Sequence, residues 1–188
     1  MPPVFTIGHS TRASEELLAL LAEHGIEALV DVRRYPGSRR HPQFSRDALA
    51  GALTEAHIEY MHEPDLGGRR EPRPDSPHVA WRVAAFRGYA DHLETPQLQA
   101  ALERLIRLSR ERRTVILCAE AVPWRCHRRL ISDALVARGV EVRHILSPGR
   151  AEPHEIDPNA RIEDGGRRLI YDGGAGAAPV QAHLFDKP

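Results

Sequence analysis

Residues 115–131 constrain this chain more than any other stretch. They open on the unbroken apolar run Val115, Ile116 and Leu117, the pattern of a short strand covered on both faces. Strands of that kind belong to parallel sheets with helices packed on either side. Cys118 and Glu120 then enter a loop broken by Pro123. From about Trp124 the sequence turns helical, with Cys126, His127, Arg128 and Arg129 in the first turn. Both cysteines of the chain thus fall in one strand–loop–helix corner, beside a carboxylate, an imidazole and several arginines. A helix start draws anions and nearby guanidiniums strengthen the pull, so a thiol there titrates below its free value of about 8.5.

The rest of the chain repeats the alternation. Residues 4–7 read as a strand. Ser14, Glu15 and Glu16 open a helix that Gly25 ends, and residues 28–32 return as a second strand. A basic loop follows, Arg33 to Pro42, then a helix over 46–56 and a short strand over 59–62. Leu66-Gly67-Gly68 begins a long proline-rich loop, of a length that usually serves function. Helices are expected over 79–92 and 96–110, the latter with Thr95 as cap and Pro96 at its first position. After the helix of the cysteine corner, which stops near Gly139, a last strand covers 141–145. The expected fold is α/β: a mainly parallel sheet with helices on both faces, a Rossmann-like three-layer architecture. Residues 1–147 form the domain, and the Pro-, Gly- and acid-rich residues 148–188 an extension and flexible tail.

Composition excludes several classes. No apolar run is long enough to span a bilayer and no leader segment opens the chain, so a cytoplasmic protein without membrane association is expected. Two cysteines make no disulfide framework. With 26 basic and 26 acidic residues the formal net charge is zero, so no global field draws the chain to nucleic acid. Lys187 is the only lysine, and where the arginines cluster matters more than their number.

In sheets of this type, ligands bind beyond the carboxyl ends of the strands. The residues just after the strands are His9 and Ser10, Arg33, Cys118 and Glu120, and His144: the reactive types collect at one edge. His9, Glu120, Cys118 and Cys126 are the catalytic candidates, as proton carriers and thiolate. Ser10, Arg33, Ser38, Arg39, His127 and Arg128 are candidates for holding an anion. Against these stands the plainer reading that cysteines are small buried hydrophobes and arginines a solvated surface. Cys118, Glu120, Cys126, His127 and His9 are also metal-ligand types. However, the cysteines are eight apart, unlike the close pairs of structural zinc sites. Cys126 and His127, if both helical, would point about 100° apart. No metal or other cofactor is assigned from the sequence.

Thr6-Ile7-Gly8-His9-Ser10, Asp31-Val32-Arg33 with Pro36 and Ser38, and Phe44 resemble the first half of the domain-of-unknown-function-488 family. Leu66-Gly67-Gly68, Phe86, Tyr89-Ala90 and Cys118-Ala119-Glu120 with Cys126-His127-Arg128 resemble its second half, over roughly residues 4–145 in all. The resemblance implies an α/β domain with a polar, cysteine-containing site; it supplies no activity. Three functions are therefore carried forward. The first is an enzyme that processes a nucleotide or nucleic acid, associated with DNA repair or replication. The second is a non-enzymatic nucleic-acid-binding module, and the third is thiol or sulfur-transfer chemistry on a small anion. The tail bears on the choice. Gln181, Leu184 and Phe185 lie in a short segment similar to those by which bacterial replication and repair proteins dock on the sliding clamp.

Overall fold

The apolar run at 115–117 forms the middle of strand β4 (Thr114–Cys118), all five residues of which are buried. The computed structural model describes residues 2–37 and 40–173. β4 lies between β2 (Ala28–Asp31) and β1 (Val4–Gly8) in a six-stranded sheet ordered β3-β2-β4-β1-β5-β6, with β3 Glu59–His62, β5 Val142–Ser147 and β6 Arg150–Pro153. β1 to β5 run parallel and β6 pairs antiparallel with β5.

Alternation along each strand assigns the two faces. Phe5, Ile7, Leu29 and Leu117 meet Leu17, Leu20 and Leu21 of α1 (Ser14–Glu23) and Leu49 and Leu53 of α2 (Arg46–Glu55). Val4, Val30, Ile116 and Cys118 meet the opposite layer, α3 (Ala84–Leu93), α4 (Pro96–Glu111) and α5 (Arg128–Val136). This is a three-layer α/β fold, as the alternation of apolar runs and amphipathic segments predicts. Among the described residues, no helix is long and apolar enough to cross a membrane.

Two helices depart from expectation. α3 begins at Ala84, not near residue 79, because Ala80 donates its N–H to Tyr171 O at 2.9 Å and Trp81 packs edge-on to Tyr171. Tertiary pairing there overrides a helical continuation. α5 begins at Arg128, not near Trp124. Pro123–Arg125 makes a tight 3-10 turn and Cys126 is extended, at φ −134° and ψ 147°.

The extension after Ser147 is built in as far as Tyr171. It supplies β6 and a hairpin of β7 (Ala160–Glu163) and β8 (Arg168–Tyr171), whose Leu169, Ile170 and Tyr171 are buried. These strands lie in a stretch rich in Pro, Gly and charged residues, where apolar positions show no clear period. Ser38, Arg39, Gln181, Leu184 and Phe185 lie outside the described residues.

Candidate functional site

The strand order creates a crevice at the carboxyl edge. The chain leaves β1 and β2 toward the α1–α2 layer and leaves β4, between them, toward α5, so neighbouring loops part there. Backbone hydrogen bonds hold the strand ends together: His9 N–H donates to Cys118 O at 3.0 Å, Ser10 N–H to Ala119 O at 2.9 Å, and Val32 N–H to Leu117 O at 3.0 Å. Gly8 is required for this closeness, since a Cβ there would lie 1.8 Å from Glu120 O.

One half of the site faces α5. Cys118, Cys126 and His127 place their ligand-type atoms all within 4.8 Å of one another. His127 Nδ1 is 3.9 Å from Cys118 Sγ and 3.7 Å from Cys126 Sγ, while its Nε2 lies 3.2 Å from Val32 O. A carbonyl only accepts, so Nε2 carries a hydrogen, and the other ring nitrogen, Nδ1, is the one that faces the sulfurs. The expected divergence of Cys126 and His127 does not arise, because Cys126 is extended and His127 is the residue preceding the helix. These three residues are the set among the described residues able to hold a metal.

Arg128 is 1 % exposed, yet among the described residues it has no carboxylate partner within ion-pair distance. Its Nε–H points at Cys126 Sγ at 3.4 Å, its Nη1 donates to Thr6 Oγ1 at 3.3 Å, and its Nη2 donates to Glu120 O at 2.5 Å. A buried cation calls for a nearby negative charge, and Cys126 is the acidic group it addresses. Burial alone pushes the Cys126 thiol up. The hydrogen bond from Cys118 and the charges of His127 and Arg128 outweigh it and hold Cys126 well below the ordinary thiol value. Cys118 is pushed well above that value by the hydrogen bond it gives Cys126 and by burial. Of the two sulfurs, Cys126 is thus the more acidic.

The other half faces α1 and α2. Asp31, fully buried, accepts Arg33 Nε–H at 2.8 Å and Nη2–H at 2.5 Å, and Tyr60 donates its hydroxyl to the same carboxylate at 3.0 Å. Arg33 Nη1 donates to Phe44 O at 2.7 Å and faces His9 Nε2 at 3.3 Å. His9 stacks on Phe44, ring centroids 4.5 Å apart, and burial holds its pKa down at about 4. His9 is therefore neutral across the physiological range. Arg33, doubly bound to Asp31, serves chiefly to fix His9 and the loop around Phe44.

From Arg128 a chain of hydrogen bonds runs inward along β5. Thr6 Oγ1 lies 2.7 Å from His144 Nδ1, His144 Nε2 lies 2.9 Å from His154 Nδ1, and His154 Nε2 lies 2.8 Å from Asp133 Oδ1. Tyr171 donates its hydroxyl to Asp133 Oδ2 at 2.8 Å. Since Arg128 only donates and Asp133 accepts, donors and acceptors can alternate along the whole run without conflict. Burial and the neighbouring His154 hold His144 down at about 3.

Of the residues singled out in the sequence, Cys118, Cys126, His127 and Arg128 form one cluster and His9 and Arg33 another. Ser10, at a φ of 49°, sits in the turn between β1 and α1. Glu120 contributes its carbonyl to Arg128 and leaves its side chain exposed. Sequence reasoning did not single out Thr6, Asp133 or His154, nor give Asp31 a role in the site. Thr6 and Asp133 stand within regular elements, and His154 within the stretch assigned to the extension. Gly68 was quoted without a role; a Cβ on it would lie 2.8 Å from His127 Nδ1.

Among known families, the model of the one described as Domain of unknown function DUF488 matches residues 13–135. No curated protein and no solved structure matches the chain.

Proposed function

The chain belongs to the DUF488 family, and on that premise we propose that it is an enzyme acting on a nucleotide or nucleic acid, with the Cys118–Cys126–His127 cluster as its reactive centre. The observation that carries the reading is the buried Arg128, which faces the Cys126 sulfur where ion pairing would call for a carboxylate. Such a pairing keeps a charge ready in a low-dielectric site, and strained or costly charge placement concentrates at functional sites.

The substrate class follows from what surrounds the mouth. Tyr35 and Trp124, in the loops after the adjacent strands β2 and β4, are 63 % and 41 % exposed, unusual for such rings. Arg34 lies over the Tyr35 ring at 5.5 Å, and Arg40 and Arg125 are exposed close by in sequence. Aromatic faces interleaved with arginines suit stacked bases and their phosphates. The reading sets the chain in the cytoplasm, where thiols stay reduced, and makes the segment holding Gln181, Leu184 and Phe185 a tether to the sliding clamp in replication or repair.

The test uses fluorescein-labelled single-stranded and duplex oligonucleotides with the full chain. Binding should weaken steeply as salt rises, and Tyr35→Ala with Trp124→Ala should weaken it about tenfold, stacking contributing roughly 1–3 kcal/mol per base. Cys126→Ser should bind as well as the parent and process nothing. Processing unaffected by Cys126→Ser sinks the enzyme reading at this centre. Absence of binding at low salt sinks the substrate class.

A further inference from the structure

The cysteine–histidine cluster has the shape of a metal site, and we propose that Cys118, Cys126 and His127 bind one soft divalent cation of the zinc class, leaving a fourth position open. The inference deepens the functional reading: it rests on that reading's centre, and not on its substrate class.

Distances come first. With metal–sulfur and metal–nitrogen lengths of about 2.3 and 2.0 Å, the sulfur-to-nitrogen edge of a tetrahedron is about 3.5 Å. The two edges here, from His127 Nδ1 to Cys126 Sγ and Cys118 Sγ, are 3.7 and 3.9 Å, so ligation requires shifts of a few tenths of an ångström. The donors are also the right ones, as two thiolates and an imidazole select zinc-like ions over magnesium or calcium.

The groups behind the ligands point the same way. A ligating histidine ordinarily donates its other ring N–H to a carbonyl or carboxylate, which fixes the tautomer. His127 Nε2 has Val32 O at 3.2 Å in that role. Arg128 Nε–H, at 3.4 Å from Cys126 Sγ, stabilises a ligating thiolate in the same manner. Gly68 leaves empty, beside His127 Nδ1, the space in which a Cβ would come within 2.8 Å.

The local fold explains how so wide a spacing converges. Cys118 ends β4, the chain loops out, and the 3-10 turn at Pro123–Arg125 brings it back with Cys126 extended and His127 just ahead of α5. Three protein ligands with a vacant fourth position are the pattern of catalytic, not structural, zinc sites.

The test is a Co2+ titration of the full, reduced, chelator-treated chain, followed by absorbance. One equivalent should produce a sulfur-to-cobalt charge-transfer band, and Zn2+ should displace it. Cys118→Ser and Cys126→Ser should each weaken Co2+ binding and diminish the band, and Gly68→Ala should weaken binding about tenfold, the scale of a disturbed supporting group. Because a cysteine variant can fail to fold, the parent chain gives an independent readout: one equivalent of Zn2+ should slow iodoacetamide alkylation of both thiols about tenfold or more. Absence of the band, or a band unchanged in both cysteine variants, overturns the proposal, as does alkylation indifferent to Zn2+. Oligonucleotide binding by the same samples is a separate readout. Metal binding without it retires the substrate class alone, and oligonucleotide processing without metal binding retires the metal alone.

Discussion

Replacing Arg128 by methionine removes a buried cation while keeping most of the side-chain volume. Two effects oppose each other. Removing the guanidinium relieves the cost of desolvating a charge, and swaps of that kind are sometimes neutral or stabilising. Against this, Glu120 O at 2.5 Å and Thr6 Oγ1 at 3.3 Å lose a donor, and the Cys126 sulfur loses its facing charge. Each buried acceptor left unsatisfied costs about 1–3 kcal/mol, and breaking one side of a buried charge pair costs about 3–5 kcal/mol. The loss of three directed contacts outweighs the relief, so Arg128→Met should destabilise by about 3–5 kcal/mol. The assay is urea unfolding at pH 7, followed by far-ultraviolet circular dichroism. Arg125→Met, at an exposed position, is the control and should fall within about 0.5 kcal/mol of the parent. An Arg128→Met chain within about 1 kcal/mol of the parent refutes the pairing of Arg128 with Cys126.

Further outcomes follow from the same geometry. His9 binds a proton less readily when folded, at about 4 against 6.5, so its contribution is present above pH 6.5 and is lost as pH falls toward 4. That shift is worth about 3 kcal/mol; urea midpoints should drop across this window in the parent and drop less in His9→Asn, and parallel curves would be the contrary result. Gly8→Ala sets a Cβ 1.8 Å from Glu120 O, a backbone atom that also holds Arg128. It should cost about 1–3 kcal/mol or more in the same assay, where Gly37→Ala, with open space around it, should cost far less. Tyr171→Phe leaves Asp133 Oδ2 without its hydroxyl donor and should lose about 1–3 kcal/mol. No loss would mean that the β7–β8 hairpin is not locked onto the core.

The sheet and its faces were legible in the sequence because runs such as Val115–Leu117 and the leucines of α1 carry periodicity that only burial on defined faces explains. The carboxyl edge was legible too, because reactive residues follow the strands. What stayed hidden depended on contacts distant in sequence. Nothing local marks His154 as the partner of His144, or Tyr171 as the partner of Asp133, since each pairing exists only once β6 and β8 have docked. The joint direction of Cys126 and His127 was hidden by a different cause. A helix assumed from Trp124 separates them, whereas Pro123 directs a 3-10 turn and an extended residue that bring them together.

That Cys126 is the thiolate of a ligand-binding centre is tested most directly by peptide-resolved iodoacetamide labelling. Reduced, chelator-treated full chain is labelled at neutral pH, with and without single-stranded DNA. Facing Arg128 and His127, Cys126 should label before Cys118, and the DNA should slow its labelling. Cys118 labelling first, or a Cys126 rate indifferent to DNA, would contradict the account.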